Sequence, residues 1–254
     1  MNANNKERRR QRSGKKLVML VRSSGLYLIS YGDADEQRFA KVFRVVWHKL
    51  PLRDRRKMVA HWRTFRDKLR NHYGEADDSL AKMLKVIPKI EVVNYRSDWF
   101  KSDIKWVLAT CGHVGNDLSF KAAWVDALPE KHLATLIAHE LGHVYQHSVL
   151  GDKFFDMDSE LIEEDVIEIL RSWGFDHEAL DEWEIQNGRV FPCDSCEENL
   201  LIPLRRSRKA RKHEETCPGC DSRFLVHVEW DGKGEAQVRL EKIELDWGWL
   251  KYHS

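Results

Sequence analysis

Two histidines and a glutamate near the middle of the chain have the types and the spacing of a catalytic metal site. His139 and His143 stand four residues apart in the segment HELGH, and residues four apart on a helix lie on one face, about one turn from each other. Both imidazoles can therefore reach one ion, and imidazole is a common ligand of zinc. Glu140 projects beside them, where it can hold a water molecule and take its proton. Zinc lowers the pKa of a water that it binds to roughly 7, so the segment predicts a metal-dependent hydrolase.

The residues around this segment support the prediction. Residues 133–138 are mostly apolar, so they predict a buried helix, which we expect to extend from about Glu130 to Leu150 with Gly151 as its C-cap. Burying two histidines of such a helix without a metal would leave their polar atoms without partners. Gly142, between the catalytic residues, would let another element approach closely.

A third protein ligand is expected on the next predicted helix, from about Ser159 to Trp173. On a helical wheel at about 100° per residue, Glu163 flanks the apolar face, whereas Glu164 and Glu168 point nearly opposite. A carboxylate on the buried side requires a compensating partner, which a metal ion supplies. Glu163 is therefore the predicted ligand, with Glu164 as the alternative. The apolar face is formed by Ile162, Val166, Ile169, Leu170 and Trp173.

His147 continues the four-residue spacing of the two histidines. It lies eight residues after His139, which is roughly 12 Å along a helix. This distance is too long for one shared ion, so we expect His147 to lie on the surface or to act indirectly.

Four cysteines near the C-terminus predict a second metal site. They form two C-x-x-C pairs separated by twenty residues, which is the spacing of a zinc ribbon. Four thiolates give a closed tetrahedral site of the structural kind. The sequence thus predicts two Zn²⁺ ions, one catalytic and one structural. The paired residues are Cys193, Cys196, Cys217 and Cys220, and the fifth cysteine, Cys111, is expected to be a small buried apolar residue.

A basic run lies between the cysteine pairs. Six of the eight residues from Arg205 to Lys212 are Lys or Arg. Such a run can neutralise phosphates and bind DNA in a salt-sensitive way. The other interpretation is a solvated loop whose charge is balanced by nearby glutamates, and the residues do not decide between the two. These glutamates are Glu197, Glu198, Glu214 and Glu215.

Composition limits the class of protein. The chain has 254 residues and a net charge of only +1, with 42% hydrophobic and 33% charged residues, which is typical of a globular protein. No apolar run reaches the roughly 18 residues needed to cross a bilayer. The apolar run from Leu17 to Val21 stops at Arg22, which is too short for a secretory signal. We therefore expect no membrane partner and a cytoplasmic location, with which the paired cysteines agree.

The pattern of elements predicts an α+β fold. Residues 1–16 form a basic tail that we expect to be disordered, residues 17–185 the catalytic domain and residues 186–254 the four-cysteine domain. Residues 17–31 predict a strand, a turn and a second strand, and two helices with apolar stripes follow. Three further predicted strands are Lys89–Tyr95, Ile104–Cys111 and Leu118–Val125.

These motifs resemble known zinc peptidases. H-E-x-x-H followed about twenty residues later by a helical glutamate is similar to the gluzincin branch of the zincins. That resemblance implies a small sheet whose cleft-edge strand, here Leu118–Val125, lies antiparallel to the substrate. It also implies a tyrosine or histidine that assists the oxyanion, for which His113 and His177 are candidates.

The order of parts, a zincin helix and then a four-cysteine ribbon, resembles the SprT-like proteases over roughly residues 80 to 230. Several of those proteases act on proteins bound or crosslinked to DNA. SprT-like proteins usually take their third ligand from a downstream histidine, whereas no histidine lies between His147 and His177 here.

The sequence therefore predicts a zinc-dependent endopeptidase that acts on protein or peptide substrates, with DNA as a possible partner through the Arg205–Lys212 run. The alternative is a non-catalytic or regulatory module that binds nucleic acid or protein through the ribbon and the basic run.

Overall fold

The computed structural model describes residues 16–30, 36–73, 88–93, 109–112, 115–196, 199–204, 211–217, 220, 222–231 and 235–243. They divide into two compact units, one with residues up to 93 and from 109 to 186, the other with the residues from 187 onward. The expected mixture of helices and strands is confirmed.

Two predictions concern residues that the structure does not describe. The tail prediction falls on residues 1–15, and most of the basic run, 205–210, also lies outside the described residues. No described helix is long and apolar enough to cross a membrane.

The first unit contains a mixed five-stranded sheet. Its strands are β1 (Lys16–Val21), β2 (Leu26–Ser30), β3 (Lys89–Val93), β4 (Ala109–Cys111) and β5 (Asp117–Lys121). The order is β1-β2-β3-β5-β4, in which β3 is parallel to β2 and to β5, and the outer pairs are antiparallel. A short 3₁₀ turn, Arg22–Ser24, joins β1 to β2, as the sequence predicts. Lys16, assigned to the tail from the sequence, begins β1 instead.

The predicted strand Leu118–Val125 is wrong in its second half. The chain leaves β5 after Lys121 and forms helix α3 (Ala122–Ala127). The backbone N–H of Leu128 bonds to the carbonyl of Trp124, four residues earlier, which is the hydrogen-bond pattern of a helix. Three of the six residues of α3 are alanine, the strongest helix former.

The expected edge role of this segment is also wrong. β5 is paired on one side with β3 and on the other with β4, so no edge of β5 is available to a substrate. Within the described residues, β4 is the outer strand on that side of the sheet.

Two helices with the predicted apolar stripes follow β2. They are α1 (Glu36–Lys49) and α2 (Leu52–Tyr73). Their stripes are part of the core, as predicted, with Phe43, Trp47 and Trp62 almost fully buried. The indole rings of Trp47 and Trp62 stack with their centroids 6.0 Å apart. These helices hold the central helix of the unit, since both contact α4 (Glu130–Leu150).

Helix α4 confirms the predicted bounds of the HELGH helix. It ends at Gly151, whose positive φ of 56° suits a glycine C-cap. After a 3₁₀ segment, Gly151–Asp156, helix α5 (Ser159–Ser172) begins, and its N-cap Asp158 accepts a hydrogen bond of 2.8 Å from the backbone N–H of Glu160. Helix α6 (Glu178–Asn187) ends the run of helices.

The second unit consists of short antiparallel strands. A pair, β6 (Gly188–Pro192) and β7 (Asn199–Pro203), accompanies a three-stranded sheet of order β10-β9-β8. The sheet contains β8 (Arg211–Thr216), β9 (Arg223–Trp230) and β10 (Ala236–Lys242). The small core of this unit includes two of the cysteines and is formed by Cys193, Leu200, Ile202, Cys217, Phe224, Val226, Val228 and Ala236.

Helices α4 and α5 are in close contact at Gly142. A Cβ atom at this position would lie 3.3 Å from methyl carbons of Val166 and of Leu170. We expect Gly142→Val to lower the free energy of unfolding by about 1–3 kcal/mol, because its two γ-methyls would overpack this contact. Urea unfolding of the metal-free protein measures the change.

Glu164→Val provides the matched control, since it adds the same side chain on the exposed side of α5. Its free energy of unfolding should change by no more than about 0.5 kcal/mol. Equal midpoints for Gly142→Val and the wild type would contradict the close-contact interpretation.

Candidate metal centre

Helix α4 places the two predicted histidine ligands side by side. The Nε2 atoms of His139 and His143 are 3.1 Å apart, and their ring planes are inclined at 84°. This is the arrangement that the four-residue spacing predicts, with one turn of helix between the side chains. Both imidazoles therefore direct Nε2 at one point.

Helix α5 brings Glu163 to the same point. One carboxylate oxygen of Glu163 lies 3.3 Å from Nε2 of His139, and the other lies 3.4 Å from Nε2 of His143. The N-cap at Asp158 fixes where α5 starts and so fixes the helical phase at which Glu163 faces α4. Glu164, the alternative ligand, is exposed and does not join the group.

The separations between these atoms fit a metal ion. Ligands held about 2.0–2.1 Å from a tetrahedral zinc lie roughly 3.4 Å from one another, close to the observed 3.1 to 3.4 Å. The set of two imidazoles and one carboxylate is also that of a catalytic zinc site with an open fourth position. The chain therefore forms a possible metal site from His139, His143 and Glu163.

The pKa values of these ligands depend on one another. Burial lowers the pKa of His139. Burial acts in the same direction on His143, but hydrogen bonding to Glu163 and the charge of Glu140 outweigh it and raise the pKa of His143. Burial would raise the pKa of Glu163, yet the two imidazoles hold it well below its usual range. A positive charge between the three side chains thus stabilises the carboxylate, and a metal cation could supply it in place of protons.

Glu140 lies beside the ligands in an environment that suits a proton acceptor. It is only 3% exposed, and burial raises its pKa to about 7. Its Oε2 atom has no hydrogen-bond partner among the described residues.

The Cys111 thiol, at the end of β4, lies near Glu140. Burial raises the pKa of this thiol most, and the charge of Glu140 raises it further. Cys111 was expected to be buried, and its surface exposure is intermediate, although its thiol is enclosed enough for burial to raise its pKa.

The other histidines take different positions. His147 is buried against Phe154, with ring centroids 3.7 Å apart, so it packs in the core and does not join the ligands. The ring of His177 lies 5.1 Å from that of His139, and its Nδ1 atom is 3.1 Å from Oδ2 of Asp181. His113 is outside the described residues.

Sequence reasoning missed Gln146, a residue that contacts a ligand directly. Its side-chain oxygen lies 3.0 Å from Nδ1 of His143, and its nitrogen donates to helix α5. The signal in the sequence is its position three residues after His143, which places it on the same helix face. Many polar residues have such a position, so the spacing alone does not single Gln146 out.

The four paired cysteines form a separate group in the second unit. Sγ of Cys193 is 3.7 Å from Sγ of Cys220, and Sγ of Cys196 is 3.5 Å from Sγ of Cys217. None of the four is in a disulfide bond, and their sulfurs lie within 4.8 Å of one another. Sulfurs about 2.3 Å from a tetrahedral zinc would be roughly 3.8 Å apart, so the group fits one ion.

Hydrogen bonds within this group favour thiolates. The backbone N–H of Ser195 donates to Sγ of Cys193 over 3.4 Å. Burial would raise the pKa of Cys220, but hydrogen bonding with Ser222 and the neighbouring cysteines lowers it to about 7. Thiolate is the form that binds metal.

No protein family profile, curated protein or solved structure matches this chain.

The two groups predict two bound metal ions per chain, each removable on its own. We expect two zinc ions in the wild type and one in His139→Ala, because a site that has lost one of its three protein ligands should release its ion. Cys217→Ser should also retain one, namely the ion of the histidine site. Elemental analysis after dialysis measures the metal content.

His48→Ala, which changes an exposed histidine of α1, should keep both ions. One zinc ion in both the wild type and His139→Ala would mean that the histidine site holds no ion.

Proposed function

We propose that the chain is a zinc-dependent peptidase in which His139, His143 and Glu163 hold the metal and Glu140 is the general base. The observation that carries this proposal is the placement of Glu140. Its carboxylate is buried, has one oxygen atom without a partner among the described residues and lies next to three converging ligands. A structural metal site has no use for such a group, whereas hydrolysis needs one.

The chemistry divides between the ion and the side chains. Bound zinc would supply a Lewis acid that polarises a carbonyl and makes water more acidic. Glu140 would orient the attacking water, accept its proton and pass that proton to the leaving amine. Burial raises the pKa of Glu140 to about 7 without the metal, and a bound cation would favour its ionised form, which is the form that accepts a proton.

Strand β4 is the candidate position for the substrate backbone. It is the outer strand of the sheet within the described residues, and its last residue, Cys111, lies near Glu140. An extended peptide can add to such an edge through main-chain hydrogen bonds. The peptide bond to be cut would then lie along the side of the sheet next to the metal ligands.

His177 is the candidate donor to the oxyanion. Its ring lies against that of His139, and its Nδ1 is held by Asp181. A hydrogen on Nε2, at the opposite edge of the ring, would donate to a developing negative charge.

The DNA contact rests on the basic run and stays a prediction. Only Arg211 and Lys212 of this run are described, and they begin strand β8. The resemblance to SprT-like proteases supports substrates that are associated with DNA. The alternative of a non-catalytic binding module has less support, because it does not explain why the buried carboxylate of Glu140 lies beside the metal ligands.

Glu140→Gln should keep zinc and lose hydrolysis. Glutamine has nearly the same shape but cannot accept the proton, so we expect kcat to fall by roughly 10²–10⁴-fold. The measurement is cleavage of an unstructured protein such as casein, with the zinc content determined on the same sample.

Glu164→Gln removes one carboxylate from the exposed side of α5 and should leave the rate unchanged. If Glu140→Gln cut substrate at the wild-type rate, the assignment of the general base would be wrong.

His177→Gln should lower kcat by roughly 10²-fold while KM and zinc content stay near their wild-type values, because an oxyanion donor acts mainly in the transition state. Steady-state kinetics on a fluorogenic peptide would separate the two constants. A rise in KM alone would assign His177 to substrate binding instead.

A further inference from the structure

Gln146 connects one histidine ligand, His143, to the helix that carries the third ligand. It lies on α4 and is only 1% exposed. Its Oε1 atom is 3.0 Å from Nδ1 of His143. Its Nε2 atom donates to the backbone carbonyl of Ile162 and to Oδ2 of Asp165, each over 2.8 Å. These two residues stand on either side of Glu163 in α5.

The partners on α5 determine the orientation of the amide. A backbone carbonyl and a carboxylate are both acceptors, so only the NH₂ end of Gln146 can face them. Its carbonyl end must then face His143. Because that carbonyl can only accept, Nδ1 of His143 must carry the hydrogen, which leaves the lone pair of Nε2 for a metal.

We infer that Gln146 is a positioning residue that fixes the tautomer and ring orientation of His143 and ties this histidine to the helix of Glu163. The inference rests on the proposed metal centre and specifies how the centre is held. Partners of this kind on the non-ligating nitrogen of a histidine typically contribute 10–100-fold in metal affinity.

The other histidine ligand lacks such a partner. Among the described residues, Nδ1 of His139 has no hydrogen-bond partner. Of the two histidine ligands, only His143 should therefore be affected directly by Gln146. One amide also contacts both helices, so its loss should be felt at two ligands, His143 directly and Glu163 through the position of α5.

Two substitutions separate the contact with His143 from the contacts with α5. Gln146→Met keeps a long unbranched side chain but removes every hydrogen bond. Gln146→Glu also loses the NH₂ group that bonds to Ile162 and Asp165, yet it retains an oxygen that can accept from Nδ1 of His143. Because the new carboxylate would otherwise face that of Asp165, both variants are made with Asp165→Asn, and their difference then reports the contact with His143 together with the added negative charge.

The measurement is zinc affinity of the full chain, by competition with a chromophoric chelator, with His139→Ala defining the zinc that belongs to the cysteine group. We expect Gln146→Met to bind zinc at the histidine site roughly 10–100-fold more weakly than the wild type. Gln146→Glu should recover at least tenfold over Gln146→Met. Gln37→Met, at an exposed glutamine of α1, should bind as the wild type does.

A nuclear magnetic resonance measurement gives a second readout that does not depend on activity. In the zinc-loaded wild type and in Gln146→Glu, the Nδ1–H proton of His143 should exchange slowly with solvent, because it is buried and hydrogen-bonded. In Gln146→Met this protected signal should be lost. The melting temperature of each metal-free variant shows whether it is folded.

Equal zinc affinities for Gln146→Met and Gln146→Glu would overturn the inference, since the helix contacts alone would then account for the loss. A wild type that binds zinc at the histidine site, with Gln146→Met binding equally tightly, would overturn it while leaving the metal centre intact. A wild type without zinc at that site would overturn the metal centre and the inference together. Tight zinc binding without peptide cleavage would reject only the peptidase.

Discussion

Helix α5 lies so close to helix α4 that no side chain larger than a hydrogen atom fits comfortably at position 142 between them. The chemistry of the site depends on this contact, because the three ligands come from both helices. A carboxylate must lie within about 3.4 Å of two imidazoles to share one ion with them. A wider separation of the helices would remove Glu163 from the group and would break the hydrogen bonds from Gln146 to α5. Glycine between the histidines therefore favours the close packing on which the possible metal site depends.

The burial of charged groups imposes a second constraint. Glu140 and both histidines lie in a region from which water is largely removed, and taking an isolated charge out of water is costly. The low pKa of Glu163 and the raised pKa of Glu140 show two carboxylates in one site whose environments favour opposite protonation states. This difference in pKa suits Glu163 as a ligand that stays ionised and Glu140 as a base that gains and loses a proton. A cation between the imidazoles would favour the ionised form of both carboxylates.

The sequence predicted the parts of this arrangement that depend on local geometry. Helical spacing is regular, so the positions of His139 and His143, the C-cap at Gly151 and the facing side of Glu163 followed from periodicity. The parts that depend on tertiary contacts were not predictable. Residues 118–125 are apolar throughout much of their length, so their pattern does not show that the strand ends at Lys121 and that a helix begins at Ala122. Gln146 could be recognised only once Ile162 and Asp165 were placed opposite it.

The two groups of ligands differ in whether they leave a coordination position of the metal ion open. Four thiolates occupy every position of a tetrahedral ion, so the cysteine group can stabilise its small β-rich unit but cannot bind a substrate at the metal. Two imidazoles and one carboxylate leave one position open, and a buried carboxylate with a spare oxygen lies beside it. A protein that needed metal only for stability would gain by filling that position with a fourth ligand. The open position and the raised pKa of Glu140 both cost stability, and the catalysis that we propose would make use of both.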